Sequence, residues 1–154
     1  VKTVADSMGL GAGNTDVATM EVIARISSGS LNVQEGDISY YVSCKVTYSD
    51  DSATFATVDS GTADSLELDG TDIATGTEIT AGTTFKFEID LGATNVDATD
   101  TTIDADDFAT ATPPGCDAEA GAGEELELRV VVSGGGETLA NLKIESITLG
   151  KSMM

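Results

Sequence analysis

The chain predicts an all-β fold, an antiparallel sandwich or barrel, and three observations predict it. Residues 38–48 alternate strictly: Ile38, Tyr40, Val42, Cys44, Val46 and Tyr48 fall on one face, and Ser39, Tyr41, Ser43, Lys45 and Thr47 on the other. A period of two over such a run marks a half-buried strand. The pattern recurs where Phe85, Phe87, Ile89 and Leu91 alternate with Lys86, Glu88 and Asp90, and where Leu126, Leu128, Val130 and Val132 alternate with Glu125, Glu127 and Arg129. Clusters of Gly, Asp and Ser separate the runs, and no long segment repeats with the helical period.

Taken in order, residues 1–16 are rich in small side chains and include Gly9, Gly11 and Gly13; they read as an irregular lead-in or the frayed end of a helix. Residues 17–26 form the first secure strand. After the strand at 38–48, Ser49, Asp50, Asp51 and Ser52 make a turn, and residues 53–58 return as the second arm of a hairpin. A weaker strand is expected at 65–68, then the strand at 85–91. Residues 92–123 form a long polar connection rich in Ala, Thr and Asp, a length that is usually functional or mobile. The strand at 125–132 turns at Gly134, Gly135 and Gly136 into a last strand over 139–149, with Leu142 and Ile144 on one side. The division is thus a lead-in at 1–16 and one β domain over 17–154, with almost no helix outside the amino end. The expected core is Val22, Ile26, Tyr40, Val42, Val46, Phe85, Phe87, Ile89, Leu126, Leu128, Val130 and Ile144.

Composition narrows the function. The chain has 154 residues, 40% of them hydrophobic, which suits one domain with a real core rather than disorder. With 27 acidic residues against 7 basic ones the net charge is −20, so nucleic acid and anionic membrane surfaces are not expected as partners. No stretch approaches the roughly 20 apolar residues of a membrane span. Histidine and tryptophan are absent and there are two cysteines. That excludes a serine–histidine–aspartate triad, a cysteine–histidine pair and the usual zinc sites. No phosphate-binding loop is present, so the remaining acid–base groups are carboxylates, and an enzyme is not expected. Cys44 and Cys116 either form one disulfide or stand as two unrelated thiols.

The one candidate ligand site is the acidic stretch 95–107. Calcium takes six to eight oxygens from carboxylates and carbonyls. The candidate ligands are Asp97, Asp100, Asp104, Asp106 and Asp107, with Asp104 and Asp106 in an Asp-x-Asp spacing. The stretch lacks the glycine and glutamate of the helix-loop-helix calcium loop, and the alternative reading is a solvated acidic loop.

The run Ser27-Ser28-Gly29-Ser30-Leu31-Asn32-Val33, the strand through Tyr40 and Tyr41, and then Val46-Thr47-Tyr48 and Phe55 resemble the start of the outer domain of archaeal flagellins, the archaellins. The passage from Ile79 through Gly82 to Phe85, Phe87, Ile89 and Leu91 is similar to that domain's next segment. The strand that follows Gly123, and the hairpin at Gly135, Gly136, Glu137 and Thr138, resemble its close. The resemblance spans most of residues 17–149. It implies an immunoglobulin-like sandwich displayed on the outside of an extracellular, cell-surface filament, with copies of itself or related subunits as partners. The family's hydrophobic amino-terminal helix has no counterpart in these residues, so polymerisation in the family's manner is not expected of this polypeptide by itself. Asn14, Asn32, Asn95 and Asn141 lack the Asn-x-Ser/Thr pattern of N-glycosylation. The alternatives are an accessory or viral decoration sandwich, or a module binding glycans or the cell envelope. Tyr41, on the polar side of its strand, is the aromatic whose exposure would mark a protein contact; the alternative is a core residue against a second sheet.

Overall fold

A computed structural model of the chain describes residues 2–3, 9–10, 17–27, 32–97 and 99–145. The strands among them are β1 (Lys2–Thr3), β2 (Gly9–Leu10), β3 (Val17–Arg25), β4 (Val33–Gln34), β5 (Ile38–Thr47), β6 (Thr54–Thr62), β7 (Ser65–Leu66), β8 (Glu78–Ile79), β9 (Thr84–Asp90), β10 (Glu125–Val132) and β11 (Glu137–Lys143). A single helical turn, α1 (Ala105–Phe108), and a 3-10 turn at Asp117–Glu119 lie in the connection between β9 and β10.

One sheet runs β11-β10-β5-β6 and the other β1-β3-β9-β7, with β2 also on β3 and the short pair β4-β8 apart. Every pairing is antiparallel. With the strands of the two main sheets lettered in chain order, the layers are G-F-C-C′ and A-B-E-D, the arrangement of an immunoglobulin-like sandwich.

Alternation explains which side chains meet between the layers. On β5, β9 and β10 the apolar members of each alternating run are buried, apart from half-buried Val132, and the polar members are not. Across β10 and β5 the register opposes Leu128 to Val42 and Val130 to Tyr40; across β3 and β9 it opposes Val22 to Phe87 and Met20 to Ile89. These side chains form one buried cluster with Ile38, Leu126, Leu142 and Ile144. All twelve residues expected in the core are in it. Burying an aliphatic or aromatic side chain contributes about 1.5–3 kcal/mol each.

Strand β3 alternates less cleanly because its outer side is also covered. Glu21 is buried there and pairs with Lys86 on β9 at 2.6 Å. Tyr40 lies against Gly61 of β6, where a Cβ would come 2.7 Å from the tyrosine hydroxyl, so the glycine makes room for the ring. The Tyr40 hydroxyl accepts the N–H of Asp90 at 3.3 Å and so ties the two sheets together.

Several expectations are corrected. The lead-in at 1–16 falls mostly outside the described residues. Its described pairs, Lys2–Thr3 and Gly9–Leu10, are strand against β3 rather than irregular or helical. Strand β6 runs to Thr62, past the expected end at 58, as its pairing with β5 continues to Ser39; its inner face carries Phe55, Thr57, Asp59 and Gly61. That sequence is not a hydrophobic one, and only its pairing with β5 shows it to be strand. Strand β11 starts at Glu137 and ends at Lys143, earlier than the expected 149; residues 146–149 lie outside the described residues.

Replacing Phe87, which is fully buried, by alanine should cost about 3–5 kcal/mol through lost transfer energy and a cavity. Leu139→Ala, at a position 60% exposed, should stay within about 0.5 kcal/mol. Urea unfolding of the two variants beside the parent chain measures the contrast.

Candidate functional site

Two features of the sandwich carry chemistry or surface that the core does not use. The first is the connection between β9 and β10. Its ends close into a neck: Gly115 N–H donates to the Ala93 carbonyl at 2.8 Å, and Asp117 N–H to the Gly92 carbonyl at 3.1 Å. Buried Thr94 donates its hydroxyl to the Gly115 carbonyl at 2.9 Å, and the same oxygen accepts the N–H of Ala118 at 3.0 Å. The two backbones approach so closely that a Cβ on Gly115 would fall 2.2 Å from the Gly92 oxygen. Only glycine fits such a crossing.

Above the neck the connection lies over the inner face of β6. Cys116 forms a disulfide with Cys44 of β5, with Cα atoms 6.0 Å apart. The two cysteines are therefore a pair, which the sequence left undecided. Thr57 donates its hydroxyl to the Pro114 carbonyl at 2.5 Å, and Cys116 N–H donates to the Asp59 carboxylate at 2.8 Å. Burial pushes the Asp59 carboxyl above the usual carboxylate range, with Asp117 adding to it, against the N–H groups of Cys116 and Gly92. At the far end Ile103 exchanges hydrogen bonds with Ser49, and Phe108 packs on Tyr48 and Phe55 with ring centroids 5.8 and 4.8 Å apart. These rings pack on one another and seat the connection on the β5–β6 hairpin, with Phe55 left 40% exposed.

The five candidate calcium ligands sit in this connection, but each is turned to local use or to solvent. Asp107 is fully buried, and its two oxygens accept the N–H groups of Val96, Asp97 and Asp104 at 2.7, 3.0 and 3.0 Å. Burial alone would raise its pKa, yet those donors together hold it below the usual carboxylate range. Asp104 caps α1: its carboxylate accepts the N–H of Asp106 at 2.8 Å, and with Asp107 it completes a capping box. Asp97 accepts the N–H of Thr99, and Asp100 accepts both the N–H and the hydroxyl of Thr102. Asp106 is exposed. Among the described residues no three His, Cys, Asp or Glu side chains gather to hold a metal ion. The expected calcium set therefore does not converge. The physical reason is that a short polar loop uses its aspartates to accept its own N–H groups.

The second feature is the outer face of the β11-β10-β5-β6 sheet. Register places Leu139, Arg129, Tyr41 and Ser60 in one row across it, with Val58 opposite Ser43 in the next. Tyr41, Val58 and Leu139 are 41%, 51% and 60% exposed. The Arg129 guanidinium stands 5.7 Å from the Tyr41 ring centroid and 3.2 Å from the Glu137 carboxylate. The sequence pointed to Tyr41 but missed Val58 and Leu139. The odd spacing of Leu139 from Leu142 carried the signal for one of them; nothing local marked Val58.

The disulfide closes a loop of 72 residues, a constraint on the unfolded chain of about 4 kcal/mol. Cys44→Ala/Cys116→Ala should lose roughly 2–4 kcal/mol in urea unfolding. Asp107→Asn weakens the acceptor for buried N–H groups and should cost about 1 kcal/mol or more at neutral pH. Because the folded pKa of Asp107 is lowered, its contribution is present above the unfolded value near ~3.9 and is lost as pH falls through the folded one. Urea midpoints taken from pH 7 down to ~2.5 should therefore show the variant converging on the parent chain at the acid end. Comparison with known proteins brings no match: no family model, curated protein or solved structure aligns with the chain.

Proposed function

We propose that the chain is a non-enzymatic structural domain of archaellin type, displayed on an extracellular filament and acting by packing against copies of itself or related subunits. The observation that carries this reading is the exposed ring of Tyr41 in the middle of an open sheet face. Aromatic residues and arginine are enriched where proteins meet, and here Arg129 stands over that ring. The antiparallel two-sheet sandwich is the fold class that the archaellin resemblance implies. The Cys44–Cys116 disulfide suits an oxidising location outside the cytosol.

Immunogold electron microscopy of the source cells, with antibodies raised against the chain, tests it. Label is expected along the shafts of surface filaments. Label confined to the cell body, or to virus particles, would overturn the filament reading in favour of an envelope-binding or decoration role.

A further inference from the structure

We infer that the corner where the turn after β4 meets β7 binds a monovalent alkali-metal cation, with Glu35 and Ser65 as its side-chain ligands. The inference goes beyond the packing reading above and rests on no part of it.

Local structure fixes both residues. The Gln34 carbonyl accepts the N–H of Asp37 at 3.0 Å and Gly36 has φ 94°, so Glu35 and Gly36 are the central residues of a tight turn. The Glu35 N–H donates to the Thr77 carbonyl at 2.8 Å, and the Glu35 carbonyl accepts the N–H of Gly76 at 3.1 Å. Ser65 pairs with Phe87 of β9, and its carbonyl accepts the N–H of Ile73 at 3.0 Å. Backbones pinned in this way keep the two side chains inside: Glu35 is 5% exposed and Ser65 0%.

Their polar atoms are not satisfied there. The Ser65 N–H reaches Glu35 Oε1 only at 3.4 Å. Glu35 Oε2 and Ser65 Oγ are sealed from solvent and have no hydrogen-bond partner among the described residues. Buried polar groups are otherwise met by protein, water or an ion, and a buried carboxylate by a cation. Among the described side chains the ion pairs are Lys86–Glu21 and Arg129–Glu137, so no lysine or arginine meets Glu35. The charges nearest to the two residues along the chain, Asp37 and Asp64, are acidic as well. A water molecule would satisfy the two oxygens and leave the charge; a cation answers both.

The charge count selects the class of ion. One carboxylate and one hydroxyl match a single positive charge. A divalent ion draws on several acidic side chains, and among the described residues no three gather. The surroundings favour the same occupant. A cleft lined by Glu67, Asp69, Ile73, Thr77 and Glu78 lies beside the corner, and Ile73 and Thr77 are the residues bonded to Ser65 and Glu35. No lysine or arginine lines that cleft, so it concentrates cations next to the site.

Thermal melts at constant ionic strength test the inference, with sodium chloride replaced stepwise by the chloride of tetramethylammonium, a cation too bulky for a buried site. A ligand of the folded state raises the melting temperature, by roughly 3–6 °C in a domain of this size when present at about tenfold over its Kd. Glu35→Gln keeps the shape, removes the charge and should abolish the sodium-specific rise. Ser65→Ala should reduce it. Asp106→Asn, at an exposed position, should keep it.

Equal melting in the two salts overturns the inference, since water or a proton then meets Glu35 Oε2. A sodium-specific rise that survives Glu35→Gln overturns it too, as does its loss in Asp106→Asn, which would assign the effect to net charge. A larger Glu35-dependent rise with calcium chloride overturns the monovalent assignment. Where Glu35→Gln does not fold, the sodium NMR line reads the same site. It should be broader with the parent chain than with Ser65→Ala at equal protein concentration, and equal widths overturn the inference.

Discussion

The inner face of β6 carries Phe55, Thr57, Asp59 and Gly61, a row too polar to be covered by an ordinary hydrophobic layer. What covers Thr57 and Asp59 is the connection between β9 and β10, joined to β5 by the Cys44–Cys116 bond, while the Tyr40 ring lies against Gly61 and Phe55 stays 40% exposed. Several contacts cluster beside the bond. Pro114 and Cys116 meet Thr57 and Asp59, and Gly92 and Gly115 cross at backbone distance. Phe108 is carried to the aromatic pair at the tip of the hairpin. The edge of the sandwich is thus completed by a loop rather than by a strand of the second sheet. The outer side of the same sheet remains open.

Electrostatics follows the same division of labour. A chain with 27 acidic residues must keep most of them in water. Where aspartates do turn inward, they are satisfied by backbone N–H groups rather than by cations. Asp107 takes three such donors and is held ionised, while Asp59 takes Cys116 and is pushed the other way by its burial. Their pH effects therefore oppose each other. The raised Asp59 favours the folded state as pH falls through its folded value toward the unfolded one near ~3.9, whereas the lowered Asp107 favours it above that unfolded value. Buried Glu21 differs in being a carboxylate met by a side-chain cation, that of Lys86.

Much of the β framework was legible along the chain. Strands β5, β9 and β10 alternate because one side of each faces the core and the other water, and all twelve core residues named from that pattern are buried. Strand β6 was legible only in part, since its inner side chains meet a loop and its outer ones meet solvent, so neither face is written in apolar residues. The acidic stretch was legible as a site in composition but not in geometry. Asp97, Asp100, Asp104, Asp106 and Asp107 are close in sequence, yet a ligand cage needs three or more of their oxygens to converge, and among the described residues four of the five are instead occupied by local N–H groups.

By itself, then, the sequence determined the sheet character of the chain, the inward side of its main strands and its acidic exterior, because those depend on side-chain period and count. The tertiary structure alone decided that Cys44 and Cys116 pair, that the long connection is a cover for β6, and that Tyr41, Val58 and Leu139 share one open face. Each of these depends on register or on contacts between residues far apart in the chain, and no local pattern specifies either.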